Sequence, residues 1–174
     1  MNELLAHSAS ENAPAQPYRN HVQSVVARAR CYLRKILMYA PQWPREWALS
    51  MLTVAGKVHD LGKLDDANQQ VLRGEKRAAH LPVNHVDAGV AYLLQKEFFF
   101  AALLVRSHHN GLLDYRSLED GFRDSRVQSL VDRQLGVYVG RHEKVCGPIG
   151  QNVQQIAPTI DSMDVRLMFS CLVH

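Results

Sequence analysis

Cysteine is scarce in this chain: Cys31, Cys146 and Cys171 are the three among 174 residues. They are odd in number, far apart and without CxxC spacing, which excludes a disulfide framework and a zinc ribbon. A reducing, cytoplasmic setting is therefore expected. Aromatic residues make up only 7%, too thinly spread near any motif to form a base-stacking platform. No apolar run approaches the roughly 18 to 20 residues of a membrane span. The start, MNELLAHSASENAPAQ, lacks a basic segment followed by an apolar one, so no secretory leader is read there. There is no GxxxxGK[ST] phosphate loop, no internal repeat and no low-complexity block.

What is present has the make-up of one globular domain over residues 1 to 174, with 47% hydrophobic and 21% charged residues. The net charge of +3 and pI near 8.8 are only mildly basic. They permit a phosphate-bearing partner through Arg28, Arg30, Arg34 and Lys35 without requiring one, and a solvated helix face is the simpler use of those four.

Periodicity points to an all-α fold. Val22, Val25, Val26, Ala29, Leu33, Ile36 and Leu37 recur at helical spacing, and Pro41 closes that helix. After a turn at PQWPREW, the apolar positions from Trp47 to Val58 predict a second helix that stops near Gly62, read as a left-handed cap. His59 and Asp60 would lie in its last turn. A short helix from about Leu64 to Leu72 precedes the polar connection RGEKRAAHLPVN. Pro82 and Asn84 then mark a helix opened by His85 and running through Leu94. FFFAALLVRS is apolar almost all round, as a buried central helix is, and delivers His108 and His109 before the Asn110-Gly111 stop. Residues 117 to 135 read as helical, periodicity weakens from Gly136 to Pro158, and DVRLMFSCLV forms a last helix. The longest segment of strand period is GVYVG.

His21, His59-Asp60, His85 and His108-His109 thus fall on four separate predicted helices. A lone histidine on an apolar helix is ordinarily a packed, hydrogen-bonded residue; this set, mostly at helix ends, points to metal ligation instead. Neighbouring side chains on a helix diverge by about 100°, so an adjacent pair is expected to straddle two cations rather than chelate one. A carboxylate shared between cations ~3.5 to 4 Å apart, with imidazoles at the outer positions, is what a paired-metal hydrolytic centre requires. Among the other candidates, His7 is read as packing, His80 as solvated, and His142 and His174 as surface residues. Asp65 and Asp66 suit a helix start, and Asp114 is at most a supporting group.

HDLGK, with isolated histidines on either side and a later HHNG, resembles the HD-domain metal-dependent phosphohydrolase superfamily. The ordered set LLAHS, QPYRNHV, VAGKVHDLGKLDDANQQVL, NHVDAGVAYLL, VRSHHNGLLD and RLMFSCLV is similar to the HD nuclease domain of the CRISPR-associated nuclease-helicase of type I interference. The likeness runs from about residue 4 to the end and is weakest over 120 to 160. It implies a helical bundle around two metals, with His21, His59 and Asp60 on the first. Asp60 would reach the second, which His85, His108 and His109 complete. A metal-activated water would attack a single-stranded DNA phosphodiester, and Lys63 would contact the scissile phosphate or that water. The imidazole-rich donor set favours Mn, Fe, Ni or Co over Mg, up to two ions per site. The implied partners are single-stranded DNA, an RNA-guided surveillance complex and a helicase region, fused or separate, with no membrane.

One departure stands out. The resemblance calls for a further aspartate just beyond SCLV, where the chain stops at His174. The expectation is that this is a fragment of a longer protein or a stand-alone subunit without the helicase region, or that Asp161 or Asp164 substitutes. Two other functions use the same residues: an HD phosphohydrolase acting on nucleotides or other phosphate esters, and a metal-stabilised interaction domain. The absence of GYP after HHNG argues against cyclic dinucleotides.

Overall fold

A computed structural model of the chain describes residues 3–39, 44–111 and 134–150, with the single positions 120, 123, 127, 129 and 130. Most of the helix expected over 117 to 135 lies outside the described residues, as do all of DVRLMFSCLV and Pro41, Asp114, Asp161, Asp164, Cys171 and His174.

Among the described residues the fold is all-α apart from one small strand pair. Strand β1, Leu5–His7, runs antiparallel to β2, Gln16–Pro17, with Leu5 facing Pro17 and His7 facing Gln16. Helices follow at Tyr18–Ile36 (α1), Arg45–Val58 (α2), Asp66–Leu72 (α3), His85–Gln95 (α4), Phe99–Asn110 (α5) and Leu135–Cys146 (α6). A 3-10 turn, Leu61–Leu64, joins α2 to α3. No helix among the described residues is long and apolar enough to cross a membrane.

Helix α2 is the centre of the bundle, lying against α1, α4 and α5. Its residues Trp47, Ala48, Met51, Leu52, Val54, Ala55 and Val58 are all buried, leaving almost no polar stripe. The central place expected for α5 is shared, because Phe99 is 60% exposed while Ala101, Ala102, Leu104 and Val105 are enclosed. Helix α4 reaches α2 at Gly89, where any Cβ would collide with the Val58 carbonyl oxygen. That contact seats α4 directly on the residue before His59.

Two helix starts carry the caps their sequences call for. The Asn84 side chain accepts from the Val86 amide at 3.1 Å, and Asp65 accepts from the Ala67 amide at 2.8 Å. Both fit the preference for short polar acceptors at this position.

Three expectations change. Helix α2 ends at Val58, and Gly62 is not among the glycines with positive φ, so it is no left-handed cap. Its role is close approach: a Cβ there would stand 2.7 Å from His85 Cα and 2.8 Å from the His85 carbonyl oxygen. The segment after Gly136 is helical through Cys146, GVYVG included. Leu135, Tyr138 and His142 are buried, a three-and-four spacing that gives α6 an inner stripe and overrides the local alternation. His142, read as a surface residue, is 0% exposed. Its Nδ1 meets the Tyr18 hydroxyl at 3.1 Å, and burial, then the charge of Lys57, pushes its pKa down to about 4.

Candidate metal centre

The centre is assembled where the end of α2 meets the first turns of α1 and α4. His59 keeps helical backbone angles as the last residue of the α2 spiral, but Asp60 departs from them at φ −112°, ψ 22°. This kink removes the divergence expected of helix neighbours. His59 Nε2 and Asp60 Oδ2 lie 3.2 Å apart, aimed at one point rather than straddling two. His21, from α1, brings its Nε2 to 2.9 Å from the same oxygen and 3.1 Å from His59 Nε2.

Both imidazoles are oriented from behind. His59 Nδ1 donates to the Gly56 carbonyl at 2.9 Å, and His21 Nδ1 lies 3.2 Å from Gln16 Oε1. With each Nδ1 facing an acceptor, a neutral ring carries its proton there and leaves a bare lone pair on Nε2. Two such lone pairs and a carboxylate oxygen within about 3 Å of one another form a donor set that a shared cation, or a proton on one Nε2, would hold together. Bonds of about 2.1 Å would separate adjacent donors by roughly 3.0 Å on an octahedron and roughly 3.4 Å on a tetrahedron. The observed edges of 2.9, 3.1 and 3.2 Å are of the size that such ligation needs. His21, His59 and Asp60 together could hold a metal ion.

Lys63, one turn on, is buried and places its Nζ 2.7 Å from Asp60 Oδ2. Its side chain turns inward rather than into solvent. His85, the first residue of α4, stands with Nε2 3.6 Å from Asp60 Oδ1. The two carboxylate oxygens therefore face different sets of groups. His108 joins through its ring, edge-on to His59 with centroids 5.2 Å apart. His109 lies in the last turn of α5, and its side chain is outside the described part. His7 packs edge-on against His21 at 4.8 Å, as expected. Its pKa is lowered, first by desolvation and then by the charge of Lys63. His80 is exposed in the loop before α4.

Several supporting residues were given no role at the site by the sequence. Asn68 donates to the Gly62 and Val83 carbonyls, both at 2.9 Å, and accepts from the Val83 amide at 3.0 Å. This ties the turn holding Asp60 to the loop that leads into His85. Gln69 donates to the carbonyls of Leu5 and Lys63, each at 2.8 Å, and accepts from the Leu5 amide at 3.0 Å, which fastens β1 and hence His7 beside the centre. Asp65, besides capping α3, accepts from the Tyr138 hydroxyl at 2.6 Å. Burial, and then this bond, raises the tyrosine pKa. Sidedness in ANQQVL is the one signal that could have drawn attention to Asn68 and Gln69, since both are polar on the buried face of a seven-residue helix.

Comparison with family models, with curated proteins and with solved structures returns no match.

Proposed function

We propose that this chain is a metal-dependent nuclease that hydrolyses single-stranded DNA phosphodiesters in CRISPR interference. The observation that carries the reading is the triangle of His21 Nε2, His59 Nε2 and Asp60 Oδ2 with edges of 2.9 to 3.2 Å. Asp60 Oδ1, 3.6 Å from His85 Nε2, leaves the same carboxylate available to a second cation.

In this reading His21, His59 and Asp60 hold the first ion, and His85, His108 and His109 serve the second. Mixed imidazole and carboxylate donors suit Mn, Fe, Co or Ni better than Mg, which prefers all-oxygen ligation. A divalent cation held there supplies Lewis acidity, making water acidic enough to attack phosphorus at neutral pH and offsetting charge on the phosphoryl oxygens. The chain's own groups do the rest. Gly56 and Gln16 hold the two imidazoles with Nε2 inward. Lys63 brings a fixed positive charge to the edge of the donor cluster, suited to a phosphate oxygen approaching Asp60. The ordered motifs LLAHS, KVHDLGK, NHVDAG and HHNG support a nuclease over other HD-type hydrolases.

The test is incubation of the protein with circular single-stranded DNA and Mn, beside His59→Ala. Linear and shorter products from the wild type alone are expected. Intact circles together with phosphate release from nucleotides would replace this reading with a nucleotide phosphohydrolase. Neither activity, with metal bound, would leave an interaction domain.

A further inference from the structure

Helix α1 contains five arginines and lysines and no carboxylate along Tyr18–Ile36. The structure divides them between two faces. Arg19, Arg30 and Arg34 fall within roughly 60° of one another round the helix, and His21 lies roughly half a turn away. Arg28 and Lys35 are exposed on the far side from that stripe. Spanning residues 19 to 34, the stripe is roughly 22 Å long.

It borders two grooves, the first between α1 and α6 and the second running on from the end of α6 at Cys146 along α1 and Lys57 of α2. The first, of about 690 Å³, has Arg19, Arg73, Arg141 and Lys144 in its walls, with Glu3 and Asp66 as the carboxylates. The second, of about 470 Å³, takes in Arg30, Arg34 and Lys57 over a floor of Val22, Val26 and Ala27, with no carboxylate. Cys146 marks the junction: burial raises its thiol pKa, while the charges of Arg19 and Lys57 oppose that rise from the two sides.

Some of this charge is already neutralised, since Arg141 pairs with Asp66 at 2.8 Å and Arg73 with Glu75 at 2.7 Å. In the second groove Arg30 and Lys57 are instead held by neutral acceptors. Arg30 donates to Thr53 Oγ1 at 3.1 Å, and Lys57 donates to the Pro148 and Ile149 carbonyls at 2.7 and 3.2 Å. Those bonds fix the side chains in place and leave their charge for an incoming anion.

We infer that the α1–α6 seam is a binding track for the phosphate backbone of a nucleic-acid strand, on the face of α1 turned away from the metal centre and independent of the metal. A linear stripe of arginines suits a chain of phosphates, which guanidinium groups engage through paired N–H donors. The choice of a nucleic acid over another polyanion rests on the nuclease reading. The track would hold the strand at a distance from the bond being cut.

The test measures binding of a short fluorescent single-stranded DNA with all metal chelated, across a salt series. Two charge-matched variants are compared: Arg19→Glu with Arg34→Glu on the seam, and Arg28→Glu with Lys35→Glu on the opposite face. All four positions are exposed, so folding should survive. The seam variant should lose roughly tenfold or more in affinity, and its salt slope should fall by about 1.4, about 0.7 for each phosphate contact removed. The opposite-face variant should lose much less. Equal losses in both would mean that only net charge matters, and unchanged binding in the seam variant would remove the track; either overturns the inference. Competition by polyglutamate as effective as by DNA would make the partner an acidic protein and overturn it too. Hydrolysis of bis(p-nitrophenyl) phosphate with Mn, run alongside, reads the metal centre alone. Its absence would sink the nuclease reading while leaving the binding result standing.

Discussion

Replacing Gly62 by alanine should damage the metal centre far more than it damages the fold. The added Cβ would stand 2.7 Å from His85 Cα, 2.8 Å from the His85 carbonyl oxygen and 3.0 Å from the Asn84 carbonyl oxygen. Non-bonded carbons settle at roughly 3.5 to 4.0 Å, and because the obstacle is backbone, no side-chain rotation relieves it. The first turn of α4 must therefore retreat from the 3-10 turn by roughly 1 Å. Overpacking of this kind costs about 1 to 3 kcal/mol, and each kcal/mol lowers the melting midpoint by roughly 2 to 4 °C in a domain of this size. The Asp60 to His85 separation of 3.6 Å would lengthen by a similar displacement, and misplacing a reacting group by about 1 Å costs on the order of 100-fold in rate. On the proposed nuclease reading, cleavage of circular DNA with Mn by Gly62→Ala should be compared with that by Leu33→Ala. Leu33 is wholly buried but lies roughly 18 Å along α1 from His21, and its truncation costs about 2 to 5 kcal/mol. Gly62→Ala should be the more stable of the two and much the less active. A loss of cleavage in Gly62→Ala no larger than in Leu33→Ala would refute the reasoning.

Two further predictions concern stability. His142 has a folded pKa near 4 against an ordinary 6.5, so the unfolded chain takes up this proton first as pH falls. Its contribution is fully present above about pH 6.5 and is lost on the way down to about pH 4, up to about 3 kcal/mol in all. Urea unfolding of His142→Gln should therefore show a shallower decline than wild type across that window, by up to about 1.4 kcal/mol per pH unit; parallel curves would contradict it. Asn68→Ala removes three hydrogen bonds around the Asp60 turn and should destabilise the protein by about 2 to 4 kcal/mol. Denaturation giving less than about 1 kcal/mol would show that water replaces those bonds.

Most of the helices were legible because each carries an apolar stripe at its own period, and two of them also carry recognisable caps. Asn84 and Asp65 are short acceptors placed directly before helical pattern, and a cap is a local bond that needs no partner from afar. Helix α6 was missed for the complementary reason. Its inner stripe of Leu135, Tyr138 and His142 includes two residues with polar groups, whose burial makes sense only once Asp65 and Tyr18 arrive to bond them. His142 shows the same limit: no spacing marks a histidine as buried when its partner is 124 positions away.

The ligand types could also be read from the sequence, since His21, His59, Asp60 and His85 are the residues that metal chemistry uses. How they point could not. On an unbroken helix His59 and Asp60 would diverge; a backbone change confined to Asp60 makes them converge. What the sequence by itself determined is which elements form and which donor atoms they carry, because period, caps and side-chain chemistry are local. Only the tertiary structure decided that three of those donors come within about 3 Å of one another, that Lys63 turns inward, and that Gly62 lets His85 come within reach. Those outcomes depend on contacts between helices, through Gly62 against His85 and Gly89 against Val58, which no single stretch of chain encodes.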